Sequence, residues 1–530
     1  MPAATAAHAV SGPIGVRQES IRCLLAIGPA AGRFEFRARE SVVLAKGPHA
    51  GGSPGPAREH RRSPARRRLE TTELVANLRK EFAVTSFQHR GNRTPHVHGA
   101  PFQSDRPNPT RALLLGIAAL SMALAVASTP SDAADWKGKN ETRDGVLYVV
   151  SPAEPMEKAL TATAKELWRL GGETEDENEF FGVITQLLTD KKGDVYLLDA
   201  QLNQVKVFSA SGEFVRSIGR EGEGPGEFRA GVGMFFTNDG KIAVMQVAPG
   251  RIVLLTPEGE PAGEHPLPVR EDGGMVILLG GNSRGGNLVF AGASNAFSEG
   301  RFDQMRYLAR LAPDGKETAK YHSETRTIDF SKPVLDDTVW DTFDRRWTVG
   351  VDGRVYACTH YTDYRIQVWN PDGTTNRVIE RQYTHQKRTP AEKKIVEDLM
   401  GMFAKQIPNA TVKISDLNKD IETVFLRDDG SLWVLTSEGT RDLPEGTAGV
   451  FDVFDPEGRF LRRVTIQVPG NPLTDAYYFV GNRFYVVTDL LQAAMSLQSG
   501  GQSLKIGDEE PEPMSVICFD LSKEAHIAKQ

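Results

Sequence analysis

The 530-residue chain carries 63 Lys and Arg against 69 Asp and Glu, a net charge of −6, with 40% hydrophobic residues and three cysteines. A balance this mild singles out no class of partner, and length alone would permit several domains. Cysteine usage does not support a lipoprotein route, because no Cys stands at the cleavage site after the apolar segment described below. Cys358 and Cys518 are expected as two buried free thiols, since they fall in apolar strands of repeats that are not neighbours.

Residues 1–105 are rich in Ala, Gly, Pro and Arg, including AREHRRSPARRR (57–68), and show no sustained period. They are expected to be a disordered or mistranslated leader. The basic run comes with no nucleic-acid-binding fold, so no nucleic acid partner is expected. Residues 106–134 have the make-up of a secretory signal peptide. Arg106 and Arg111 precede the apolar run Ala112 to Ala127, and Ser131-x-Ala133 supplies small residues for cleavage. The run is short for a membrane span. The expected mature start is Ala134 or Asp135, with no stable span after cleavage, in a periplasmic or secreted protein. The true start codon is expected just upstream of Arg111; the alternative is a membrane anchor with a basic cytoplasmic tail. Residues 135–180 read as a linker and closing strand, and 181–524 as one large domain.

That domain repeats. The clearest copy is TDKKGDVYLLDAQLNQVKVFSASGEFVRSIG (189–219), and five more can be aligned beneath it, beginning near Thr237, Ser283, Gly350, Arg427 and Gly481. Each copy alternates β-branched or aromatic residues with polar ones over short runs, bounded by Gly, Asp, Asn and Lys, as half-buried antiparallel strands do. Five copies keep a turn of one kind: SASGE, TPEGE, APDGK, NPDGT and DPEGR. Its Gly provides the positive φ a hairpin needs. Four short strands in each of six repeats predict an all-β, six-bladed β-propeller of antiparallel four-stranded blades. The sixth copy lacks a fourth strand and has DLSKE in place of the turn. An N-terminal strand, GVLYVVSP (145–152), is expected to close the last blade by pairing Leu147 to Val150 with the strand holding Cys518.

One helix interrupts the repeats. In TPAEKKIVEDLMGMFAKQ (389–406), Thr389 is the expected N-cap, Pro390 the first helical residue and Glu392 the reciprocal cap. Ile395, Leu399, Met402 and Phe403 form the expected apolar stripe, which is expected to pack on the scaffold, the alternative being a lid or a partner-docking helix. The long insertions are residues 292–301, 322–344, 382–420 with this helix, 438–448 and 489–513. All follow second strands or fourth strands, so all emerge on one face of the ring, while the turns on the opposite face stay minimal.

GREGEGPGEF (219–228), together with the first repeat, YRIQVWNPDGTTNRVIERQYTHQKRTPAEKK (364–394) and DDGSLWVL (428–435), closely resembles six-bladed propellers of the NHL-repeat type in bacterial exported proteins. The resemblance spans about residues 145 to 522 and implies fold and export more firmly than function. Propellers of this kind serve as binding platforms and sometimes as enzymes: a lyase with zinc on channel histidines, lactonases with calcium on channel carboxylates.

The glycine-rich GREGEGPGEF carries Glu221, Glu223 and Glu227 and opens no helix, which argues against a phosphate cradle. The sequons at Asn140 and Asn409 matter only in a eukaryotic secretory route. His265, His322, His360, His385 and His526 include no closely spaced pair, so histidine-bound zinc is not expected. No G-x-S-x-G or polar-set Cys marks a nucleophile. The resulting expectation is an exported, monomeric binding or scaffold propeller that recognises a protein, peptide or glycan on the long-loop face without a cofactor. Arg345, Arg346, His360, Tyr361, Glu422 and Asp475 lie nearest the site's centre. The alternative is a lactonase-like hydrolase or lyase acting in the channel, with calcium on carboxylates such as Glu422 and Asp475. Whether the chain is an enzyme stays open at this level.

Overall fold

The computed structural model describes residues 135–269, 275–498 and 512–521. The expected leader, signal peptide and cleavage site lie outside them. Six sheets are arranged as blades I to VI, spanning residues 184–218, 231–265, 277–329, 347–381, 421–467 and 476–520. The protein is a six-bladed β-propeller. In the five repeats that keep the turn, Gly212, Gly259, Gly315, Gly373 and Gly458 all have φ between 83° and 97°, conformations that other residues adopt only with strain.

Alternate residues of each strand point into opposite neighbouring blades, so every interface receives its own apolar cluster. The I–II interface buries Leu198, Val205, Met234 and Val253, and the II–III interface Met245, Leu278, Phe290 and Tyr307. The III–IV interface takes Val289, Leu308, Val349 and Trp369, and the IV–V interface Ile366, Val368, Val434 and Phe454. Phe451, Ile466, Phe484 and Ile517 fill V–VI, while Val183, Leu197, Val487 and Val516 fill VI–I. This last cluster closes the ring. Cys358 and Cys518 are buried free thiols in separate interfaces.

The N-terminal segment runs as a belt along the outer edges of three blades. Strands β1 (Lys139–Arg143) and β2 (Val146–Ser151) form a hairpin whose second strand adds in parallel to the outermost strand of blade IV. Strand β3 (Leu160–Thr163) then adds in parallel to the outermost strand of blade V. Strand β4 (Lys165–Gly171) pairs antiparallel with Ser515–Asp520 and supplies the missing strand of blade VI. An N-terminal strand does close the last blade, but it is β4 and not Leu147 to Val150. Two physical reasons decide it. A fourth strand must run antiparallel to the third, as β4 does and β2 does not. Gly171 also precedes Ile184 by 13 positions, as Ile218 precedes Gly231, so β4 enters blade I through a link of ordinary length. Asp199 holds this entry by accepting from the backbone N–H groups of Gly182, Val183, Gln201 and Leu202 at 2.7–3.1 Å. The buried Lys206 ammonium donates to the carbonyls of Glu177, Asn178 and Phe180, and burial lowers its pKa.

Residues 292–301, expected as a loop, are strand instead. Asn287–Ser298 and Arg301–Leu311 continue as one long hairpin through Gly300, and Glu317–Asp329 extends beside it. Among the described residues three α-helices occur where one was expected: α1 (Asp337–Trp340), α2 (Pro390–Ala404) and α3 (Leu490–Gln498). Helix α2 has the expected capping box on Thr389 and Glu392. Its core-facing stripe is shifted by one residue, to Val396, Met400, Phe403 and Ala404, because buried Glu392 is drawn to Arg441 at 2.6 Å and Asn418 at 3.0 Å. With Phe302, Ile328, Leu335 and Trp340 these side chains form a satellite core, making the blade III extension and the inserted segments one annex on the long-loop face.

If β4 is the closing strand, its inward residue must carry far more stability than the corresponding residue of β2. Leu170 is 2% exposed in the VI–I cluster and Leu147 is 38% exposed. Leu170→Ala is expected to cost about 2–5 kcal/mol and Leu147→Ala about 0.5 kcal/mol or less in urea titrations. Equal losses would contradict this account of closure.

Candidate functional site

The innermost strands of blades I, II, III and V each break register near their start. Ile184 and Gln186 face consecutive residues of the partner strand, leaving Thr185 as the extra residue, and Val232, Leu279 and Glu422 are its counterparts. Such bulges re-aim a side chain. The four stand at the end where the fourth-strand links enter, which is the long-loop end of the channel, and Glu422 is the charged one. At the opposite end Arg284, leaving the innermost strand of blade III, passes the three-residue innermost strand of blade IV. It donates to the Leu426 carbonyl of blade V at 2.7 Å and to Asp428. A side chain therefore crosses the short-turn end.

Between the III–IV apolar interface and the satellite core of the annex lies a layer of buried ion pairs. Arg306 faces Asp344 at 3.6 Å, Arg326 pairs with Glu324 at 2.6 Å, Arg388 with Asp337 at 2.7 Å, and Arg346 with Asp341. Burial lowers the Arg306 pKa to about 10. For Arg346, burial also works against the charge, but Asp341 and the neighbouring carboxylates outweigh it, so its pKa is raised. Four arginines meet four carboxylates, which is the arrangement that lets buried charge persist.

The six residues singled out from the sequence divide accordingly. Arg346 is buried, donating to the His360 carbonyl at 2.9 Å as well as to Asp341. Asp475 is buried and accepts from the N–H groups of Asn471 and Asp489 and from the Thr474 hydroxyl at 2.8–3.1 Å; burial raises its pKa against those bonds and the charge of Arg345. The Tyr361 hydroxyl donates to the Leu417 carbonyl at 3.2 Å and receives Arg388, and burial raises its pKa strongly. These three are committed to holding loops. Arg345, His360 and Glu422 remain accessible at the mouth. Glu422 is paired with Lys419 at 3.1 Å, and the Arg345 carbonyl accepts from Val424 N–H of blade V.

One pair was not singled out. Asp420, wholly buried at the head of blade V's innermost strand, meets Nδ1 of the half-exposed His385 at 2.9 and 3.1 Å. The two residues lie at opposite ends of the 382–420 insertion, 35 positions apart, and no motif spacing announces them. Among the described residues no group of three or more His, Cys, Asp or Glu side chains is placed to hold a metal ion. No described helix is long and apolar enough to cross a membrane.

Residues 139–386 match the model of a family described as DUF5128, a 6-bladed beta-propeller. No curated protein matches the chain. Solved structures similar to it include an exported protein of Bacteroides fragilis at 13% identity, covering 69% of this chain and 100% of that one with a TM-score of 0.38. Another is a calcium-binding protein, regucalcin, of Agrobacterium tumefaciens, at 12% identity, 68% and 95% coverage and a TM-score of 0.35. Virginiamycin B lyase of Staphylococcus aureus matches at 12% identity, with 67% and 99% coverage and a TM-score of 0.34.

The adjacent arginines should separate in a stability measurement. Arg346→Ala removes a buried guanidinium and leaves the partly buried Asp341 with only Lys419, at 3.7 Å, and is expected to cost about 3 kcal/mol. Arg345→Ala, at an exposed position, should stay within about 0.5 kcal/mol. Chemical denaturation of both variants checks it, and an undisturbed Arg346→Ala protein would refute the ionic layer.

Proposed function

We propose that this chain is an exported recognition protein that binds its ligand at the long-loop mouth of the channel, beside Arg345, His360 and Glu422. One observation carries the reading: the two ends of the channel are built differently. The short-turn end is crossed by Arg284, whereas the other end opens among four bulged positions and is flanked by the annex. Binding residues accumulate where variable loops stand on a rigid frame. The apolar run Ala112 to Ala127 and the small residues after it support export. A peptide or glycan suits an open mouth better than a closed pocket would, and no catalytic constellation among Arg345, His360 and Glu422 favours chemistry over binding.

Glu422→Trp would fill the mouth from a bulged position, and the double change Lys191→Glu, Lys192→Glu alters the short-turn face of blade I. In a thermal-shift screen of glycan fragments and short peptides, ligands that stabilise the native chain should lose their effect in the first variant and keep it in the second. Loss in the second variant alone would place recognition on the other face.

A further inference from the structure

Arginine usage in this fold is nearly exhaustive. Of the 24 arginines among the described residues, 23 place their guanidinium in a hydrogen bond or ion pair with the protein. The exception is Arg345. It is exposed at the channel mouth, and only its backbone is engaged, through the Val424 N–H of blade V. The neighbouring acids already have partners. Asp341 is held by Arg346, Glu422 by Lys419, and Asp475 by two backbone N–H groups and a hydroxyl. Arg345 stands two positions before the innermost strand of blade IV, Trp347–Val349, and its carbonyl meets the innermost strand of blade V, so the residue sits at the long-loop end of both strands.

Resting on the mouth as the binding site, we propose that Arg345 is its specificity residue and that the ligand carries a carboxylate, received by the guanidinium fork. A planar carboxylate matches two parallel N–H donors. A phosphate dianion would require a second free cation, and the nearest one, Lys419, is matched by Glu422 at 3.1 Å. The carboxylate belongs to a small polar ligand, such as the uronic acid of a sugar or the free C-terminus of a short peptide.

The test uses two matched pairs with the full chain: a galacturonate trisaccharide against its methyl ester, and an acetylated tripeptide against its C-terminal amide, each by calorimetric titration. One acid is expected to bind more tightly than its neutral counterpart, and which pair responds identifies the source of the carboxylate. Arg345→Ala should weaken that acid about tenfold or more, Arg345→Lys should recover only part, and inorganic phosphate at equal concentration should not compete. If neither acid exceeds its neutral partner, or if Arg345→Ala binds the acid as the native chain does, the carboxylate assignment is overturned. Glu422→Trp separates the two readings. Neutral ligands that still bind and are still blocked by it would leave the mouth as the site while removing the carboxylate, whereas acid binding unaffected by it would overturn the mouth itself.

Discussion

A ring of twisted sheets loses its free edges only when the last sheet is completed by a strand from elsewhere in the chain, and the rest of this fold depends on that event. Strand β4 provides it. Without β4, Ser515–Asp520 would present an open edge and the VI–I cluster would lose Leu170 and the packing of Trp168. The remaining five interfaces are contributed by sequence neighbours. The sixth joins residues as far apart as Val183 and Val487, 304 positions, which makes it the blade interface with the largest chain-entropy cost. Asp199 and Lys206 sit at its junction with blade I, tying the backbone of the incoming link by hydrogen bonds rather than by further apolar contact.

The belt that ends in β4 also widens one half of the ring. On its way it covers the outer edges of blades IV and V with β2 and β3, and Ser151 links the two by accepting from Phe460 N–H through its hydroxyl and from Gln382 N–H through its carbonyl. The covered blades are also those that flank the 382–420 insertion. Loops with long excursions hold a fixed geometry only when their stems do not move, and here both stems rise from sheets widened by an extra strand.

The annex is seated on this half through charge rather than through a continuous hydrophobic core. Buried ion pairs add little net stability against an apolar alternative, but each has a narrow set of acceptable geometries. A layer in which Arg306, Arg326, Arg346 and Arg388 must all meet their acids therefore sets the position of the annex over blades III and IV. Arg345 and Arg346 illustrate the consequence. Arg346 is turned into the layer and spent on architecture, whereas Arg345, the residue before it, keeps an exposed guanidinium outside the layer.

Repeat number, strand alternation, the positive-φ turn glycines and the capping box of α2 were all legible in the sequence, because each depends on residues close together in the chain. The choice between β2 and β4 was not, since both are short apolar strands and only strand direction and link length distinguish them. The register of α2 was off by one residue because Glu392 is drawn to Arg441, 49 positions away. The extension of blade III looked like a loop because its alternation is interrupted by small residues, Ala293, Ser294 and Ala296. Arg345, Arg346, His360, Tyr361, Glu422 and Asp475 could be brought to one end of the ring from the repeat alone. Which of them are buried in ion pairs and which face the channel depends on partners such as Asp341, Arg388 and Lys419. Those partners lie on insertions without a repeat to align them, so only packing in three dimensions could bring each charge to its counter-charge.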